Sequence, residues 1–214
     1  MWIFLHANIL IWSQSKIQNR KPKIDMARTY SQMTALGADA PAFDLPVANP
    51  HVDDIDRATR SLDDYADADA LVVVFMCNHC PYVVHIEDAL VEVANAYQAR
   101  GVRFVGISAN DARQYPADSF ENMALRAQQK NYPFPYLYDA SQQVARAYGA
   151  VCTPEFFVYN RARHLAYQGR FDETRPGLGT PTGADLRQAL DELLDTGAVT
   201  MEPFPAMGCN IKWR

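Results

Sequence analysis

Hydrophobic residues fall into two kinds of run along this chain. Ala70 to Met76, Ala-Leu-Val-Val-Val-Phe-Met, and Val102 to Ser108 are near-continuous and rich in β-branched residues, the pattern of strands buried on both faces. Between them, residues 81–99 space Val84, Leu90, Val91, Ala94 and Tyr97 as a helix does, and Arg100-Gly101 ends the run. Strand, helix and strand of these lengths predict a βαβ unit. A helix is predicted over 117–130, broken by Asn131-Tyr-Pro-Phe-Pro135. A short strand at Tyr136–Asp139 and a short helix at 141–148, closed by Gly149, come next. Phe156–Tyr159 and His164–Tyr167 read as two strands joined in a hairpin by Asn160–Arg163. A last helix opens at Thr182 or Gly183 and runs through Leu194, with Gly197 as its C-cap. This order predicts an α/β fold with a mixed central β-sheet flanked by helices on both faces.

The remaining segments are polar or aperiodic. Prolines 41, 46 and 50 make the stretch from Leu36 extended. Residues 51–68 are acidic and read as a loop with a short hairpin or helical turn. After Ala198 the chain loses periodicity, so residues 34–198 are expected to form the domain and 199–214 a flexible tail packed on it. Residues 1–25 are expected to lie outside the fold. Their apolar run, Trp2 to Trp12, precedes its basic residues, the reverse of a secretory signal, and is shorter than the roughly 18 residues a spanning helix needs. A membrane-surface anchor, an atypical signal and an upstream start codon all fit. Met26-Ala-Arg-Thr, a plausible opening for a soluble chain, favours the last. The cytoplasm is then the default location, without stable membrane insertion. A genuine signal or anchor would place the protein outside it.

Composition narrows the function classes. The chain has 214 residues, 49% hydrophobic and 21% charged, enough for one full core. Its formal net charge is −5, an acidic balance that argues against nucleic-acid binding. No Gly-x-Gly-x-x-Gly or P-loop motif is present, so no nucleotide cofactor is implied. Tyr132, Phe134, Tyr136 and Tyr138 read as strand packing, and Arg170–Pro176 as a solvated loop.

The chemistry concentrates in four cysteines, Cys77, Cys80, Cys152 and Cys209, too few to staple a chain this long. Cys77-Asn78-His79-Cys80 stands where the first buried strand hands over to a helix. A helix N-terminus presents unpaired N–H groups and roughly half a positive charge, which stabilise a thiolate. One sulfur attacks a disulfide and the other resolves the mixed disulfide. Cys77 is expected to attack, as the more N-terminal and more exposed thiol, and Cys80 to resolve. His79 is expected to donate to, or charge-stabilise, the Cys77 thiolate. Asn78 completes the turn, and Pro81 suits the first helical turn. The competing reading is structural zinc, for which Cys-x-x-Cys is half a site. No second Cys-x-x-Cys and no His-x-x-x-His supplies the other half.

Thr153-Pro154 precedes the strand at Phe156. A buried strand running into Cys-x-x-Cys, with Thr-Pro before a late hairpin, resembles the thioredoxin superfamily. Phe75-Met-Cys-Asn-His-Cys-Pro-Tyr-Val83, His85-Ile-Glu-Asp88, Cys152-Thr-Pro-Glu155 and Gly208-Cys-Asn-Ile-Lys-Trp213 look like its peroxiredoxin-like branch, the AhpC/TSA-like or redoxin-domain proteins. The likeness covers about Thr34 to Arg214. It implies a thioredoxin-like fold, a cis Thr153–Pro154 bond, and a thiol–disulfide oxidoreductase cycling through a Cys77–Cys80 disulfide. It also implies a protein or small-molecule disulfide partner and an external electron donor. Thiol-dependent peroxidase, an antioxidant activity, is the alternative, and a metal-binding module the third.

Two departures qualify the likeness. Aligning Cys80 with the peroxidatic cysteine of Pro-x-x-x-Thr-x-x-Cys puts Val73 at the proline and Cys77 at the threonine, which counts against peroxidase activity. Thioredoxins bury an acid six residues before their first active-site cysteine, where this chain has Leu71. Glu155 either takes over that role or faces solvent. Cys152 is either close to the active pair or a small core filler. Cys209 is either a third redox thiol, or resolving partner, or a buried thiol that anchors the tail.

Overall fold

The computed structural model describes residues 28–214 except Asp54 and Asp56. The expectations for residues 1–25 and Met26 lie outside the described residues. The chain opens with β1 (Arg28–Tyr30) and β2 (Asp44–Pro46), then β3 (Thr59–Ser61) and β4 (Ala70–Phe75). Next come α1 (Pro81–Gln98), β5 (Val102–Ser108), α2 (Phe120–Lys130), β6 (Tyr136–Tyr138) and α3 (Gln143–Tyr148). The chain ends with β7 (Cys152–Thr153), β8 (Glu155–Asn160), β9 (Leu165–Gly169), α4 (Ala184–Thr196) and β10 (Met207–Asn210). Among the described residues no helix is long and apolar enough to cross a membrane.

The main sheet has the order β6-β5-β4-β8-β9. β4, β5 and β6 are parallel, and β8 and β9 join antiparallel. Every residue of β4 is fully buried, because this strand is central and covered on both sides. Ala70, Val72 and Val74 face a core with Leu90, Val93 and Ala94 of α1 and Leu186, Ala189 and Leu190 of α4. Leu71, Val73 and Phe75 face the other core, with Phe43, Tyr148 of α3 and Phe157. Each such aliphatic or aromatic side chain contributes about 1.5–3 kcal/mol of transfer free energy, so β4 is a stiff support for the cysteine turn at its end. In the second turn of α1, Glu87 accepts hydrogen bonds from Arg126 of α2 (2.8 and 2.5 Å) and from Tyr132 (2.7 Å). The helix that carries the cysteine motif is thereby tied to α2 close to that motif.

The acidic loop, expected to hold a short hairpin or helical turn, has both: β3 pairs with β2 of the preceding segment around the buried Arg60, and Leu62–Tyr65 form a helical turn. One region departs from the sequence reading. The C-terminal residues hold a strand where a flexible, aperiodic tail was expected. β10 lies between β1 and β7, antiparallel to both, with Cys209 opposite Arg28 on one side and Thr153 on the other. Ser31 N–H to Ala206 O (2.9 Å) and Ile211 N–H to Val151 O (3.0 Å) extend this pairing beyond the strand itself.

Candidate active site

β4 delivers the chain to the sheet edge at Phe75, and Met76 N–H still bonds Ile107 O (2.9 Å). Cys77 to Cys80 then turn into α1, whose first residue is Pro81 and whose N-cap is Cys80 itself. The N-cap position sets Cys80, rather than Cys77, at the helix start, where the Val83 backbone N–H favours its thiolate.

All four cysteines are free thiols and all are buried. Cys77 is 1% and Cys80 0% exposed, which corrects the expectation that Cys77 is the more exposed sulfur. Cys77 Sγ lies 3.6 Å from Thr153 Oγ1, and Cys80 Sγ lies 3.1 Å from Thr153 O and 2.8 Å from Cys209 Sγ. The expected acidities are also reversed. Hydrogen bonding to Cys80, burial and the Asp118 carboxylate hold the Cys77 thiol well above its usual range. Burial opposes ionisation of Cys80 too, but donation from Cys209, Cys77 and Thr153 and from Val83 N–H overcomes it, so Cys80 is pushed down. The Thr153 carbonyl favours a neutral Cys80, since only the thiol can donate to it. A single negative charge shared in a buried cluster belongs on the sulfur with the most donors, and that is Cys80.

His79 does not bond Cys77 as expected. Its Nδ1 lies 2.6 Å from Asp118 Oδ2, and its ring stacks on Tyr115 with centroids 5.4 Å apart. Asp118 is fully buried and also accepts from Asn78 N–H (2.8 Å) and Asn110 Nδ2 (2.8 Å). The hydrogen bond to Asp118 raises the His79 pKa, against a smaller opposing effect of burial. Asn78 is held further by Ala117 O (2.8 Å) and Tyr136 OH (3.2 Å), so it locks the turn. Asp118 is the residue that sequence reasoning missed. Cys77, His79 and Asp118 place one ligating atom each within 4.8 Å of one another, the one such group of three among the described residues. A metal there would displace hydrogen bonds that already satisfy Asp118.

The Thr153–Pro154 bond is cis, as expected. Glu155 is fully buried rather than solvent-facing. It accepts from Val151 N–H (3.0 Å), Cys152 N–H (3.4 Å) and Gln168 Nε2 (2.8 Å), and Cys152 Sγ lies 3.7 Å away. It therefore serves Cys152 and the turn before the proline, not the Cys77–Cys80 pair. Burial raises the pKa of Glu155 and of Cys152 alike, which suits a structural thiol. Arg170–Pro176 is more than a solvated loop. Phe171 and Asp172 are buried, and the segment lines a cleft of about 190 Å³ with Tyr82, His85 and Pro154.

The AhpC/TSA family model matches residues 36–168. The chain belongs to the AhpC/TSA family. A hypothetical protein from Sinorhizobium meliloti 1021 is 44% identical over 87% of this chain and 98% of its own, with a TM-score of 0.81. An uncharacterized conserved protein from Geobacillus kaustophilus is 46% identical over 88% and 97%, with a TM-score of 0.82. A putative thiol:disulfide interchange protein DsbE from Chlorobium tepidum is 20% identical over 76% and 99%, at a TM-score of 0.56, a likeness of fold. No curated protein matches. The fold is thioredoxin-like, and membership of the AhpC/TSA family places the chain among redoxin-type proteins.

Proposed function

We propose that this AhpC/TSA-family protein is a thiol–disulfide oxidoreductase that cycles through a Cys77–Cys80 dithiol/disulfide. The observation that carries the reading is the convergence of both sulfurs on Thr153, beside the cis-proline, at 3.6 and 3.1 Å. Cys80, the sulfur with the most donors, attacks one sulfur of a substrate disulfide and releases the other as a thiolate. Cys77 then displaces the bound half and closes the Cys77–Cys80 disulfide. Two electrons pass to the substrate, and an external thiol donor returns them. The cleft beside Pro154, walled by Tyr82, His85 and Arg170, offers a seat for a protein or small-molecule disulfide. The rival family chemistry, reduction of a hydroperoxide at Cys80, finds the Cys77 thiol where a hydroxyl would position the peroxide.

The test is a titration of the full chain against a glutathione redox buffer, reading the peptide that holds both cysteines by mass. A reversible two-electron transition that closes Cys77 to Cys80 is expected. Thiols that stay unreactive until a chelator is added would overturn the reading in favour of a metal site.

A further inference from the structure

We infer that Cys209 is a third redox thiol of this site, exchanging with Cys77 for a disulfide bond to Cys80. The inference rests on the thiol–disulfide reading above and extends it to a centre with two alternative oxidised forms.

Geometry is the first argument. Cys80 Sγ and Cys209 Sγ are 2.8 Å apart, closer than non-bonded sulfurs ordinarily sit, against a disulfide length of about 2.05 Å. Neither sulfur is on a mobile segment. Cys80 caps α1, and Cys209 lies on the central strand of a three-stranded sheet, opposite Arg28 and Thr153. The chain on either side of Cys209 is fixed as well. An added Cβ at Gly208 would meet Thr153 O at 2.0 Å, and Lys212 N–H bonds Asn110 Oδ1 at 2.8 Å. The sulfur is thus presented to Cys80 by secondary structure.

The second argument is the place that β10 takes. Thr153, beside the cis-proline, is the residue on which both sulfurs of the redox pair converge. Here the strand that pairs with Thr153 is the protein's own, and the residue opposite Thr153 is a cysteine. The edge beside the cis-proline already holds a strand with a thiol directed at the redox pair.

The third argument is chemical. Cys80 is flanked by two sulfurs, Cys77 and Cys209, whose thiols are each pushed up by hydrogen bonding to Cys80. Once Cys77 and Cys80 have been oxidised by a substrate disulfide, Cys209 gives up its proton and attacks Cys80 Sγ. The Cys80–Cys209 bond forms, the Cys77–Cys80 bond breaks, and Cys77 leaves as a thiolate that takes up a proton. The step is an isomerisation, with no electrons gained or lost. It returns Cys77 to the thiol state and stores the oxidising equivalent between α1 and β10.

The full-length Cys77→Ser and Cys209→Ser variants, each with its melting temperature, decide the matter in the same glutathione buffer. In Cys77→Ser, free thiols are expected to fall from three to one, with a cross-linked peptide pair joining Cys80 to Cys209. In Cys209→Ser the same fall is expected, with the bond between Cys77 and Cys80. The unmutated protein should contain both species. If Cys77→Ser stays fully reduced where Cys209→Ser oxidises, and the unmutated protein holds no Cys80–Cys209 link, the inference is wrong and the simple dithiol reading stands. If neither variant oxidises, both fail together. If Cys209→Ser does not fold, Cys209→Ala replaces it, and the disulfide map of the unmutated protein still decides.

Discussion

His79 Nδ1 lies 2.6 Å from Asp118 Oδ2, across 39 residues of sequence. The hydrogen bond raises the His79 pKa. The pair therefore stabilises the fold fully below the unfolded histidine value of about 6.5, and that contribution is lost as pH rises through the raised folded value. Asp118→Asn should lower the His79 pKa, read by NMR titration of its ring protons. It should also cost more stability at pH 6 than at pH 9. Equal cost at both pH values would show that Asp118 acts only through Asn78 and Asn110.

Gly208 has no room for a side chain. The atoms that a Cβ would meet, Thr153 O at 2.0 Å and Thr153 C at 2.6 Å, are backbone and cannot rotate away. Gly208→Ala should cost about 1–3 kcal/mol or more, the range for forcing atoms into a packed interior. Because β10 must move to accept it, Cys209 should become reactive to a small thiol reagent. A variant as stable as the parent, with Cys209 still protected, would contradict this packing.

Arg60 organises the acidic loop. Its side chain is fully buried and bonds Asp53 together with the carbonyls of Pro50, Ile55, Arg57 and Thr59. Lysine keeps the charge but has three donors on one nitrogen, and cannot span these acceptors. Arg60→Lys should cost about 1–3 kcal/mol, the scale of buried polar groups left unpaired. Urea unfolding measures the loss, and limited proteolysis should then cut near residues 50–60.

Glu155 offers a second pH test, in which stability again falls as pH rises. Burial raises its pKa, so the folded protein loses stability as pH climbs from the unfolded value of about 4.3 through the raised folded one. Glutamine does not titrate. The stability of Glu155→Gln relative to the parent should improve across this window, measured by urea unfolding between pH 4 and pH 8. Parallel curves would mean that Glu155 keeps its charge in the fold at no cost.

Much of the architecture was legible because burial leaves a dense local pattern. β4, β5 and α1 sit in the core, so each carries a run long enough to read, and Gly149 and Gly197 end their helices in the left-handed conformation expected of them. Cys77, Cys80, Thr153 and Pro154 were found through short motifs. The features that escaped were set by partners remote in sequence. β1 and β10 are three and four residues long and exist as strands because β10 pairs with β1 on one side and with β7 on the other. Asp118 reads as an ordinary acid before a helix. Only folding brings Asn78, His79 and Asn110 to it. The exposure of Cys77 was misjudged for the same reason, since β7 and β10 cover the motif from the other end of the chain.

Cys80 and Cys209 are 129 residues apart. At a synthesis rate of about 5–20 residues per second, the ribosome makes Cys80 roughly 6–26 s before Cys209. For that interval every copy carries the paired cysteines without their cover or their third neighbour. The newborn chain and the finished protein therefore differ in which thiols a cellular oxidant can reach.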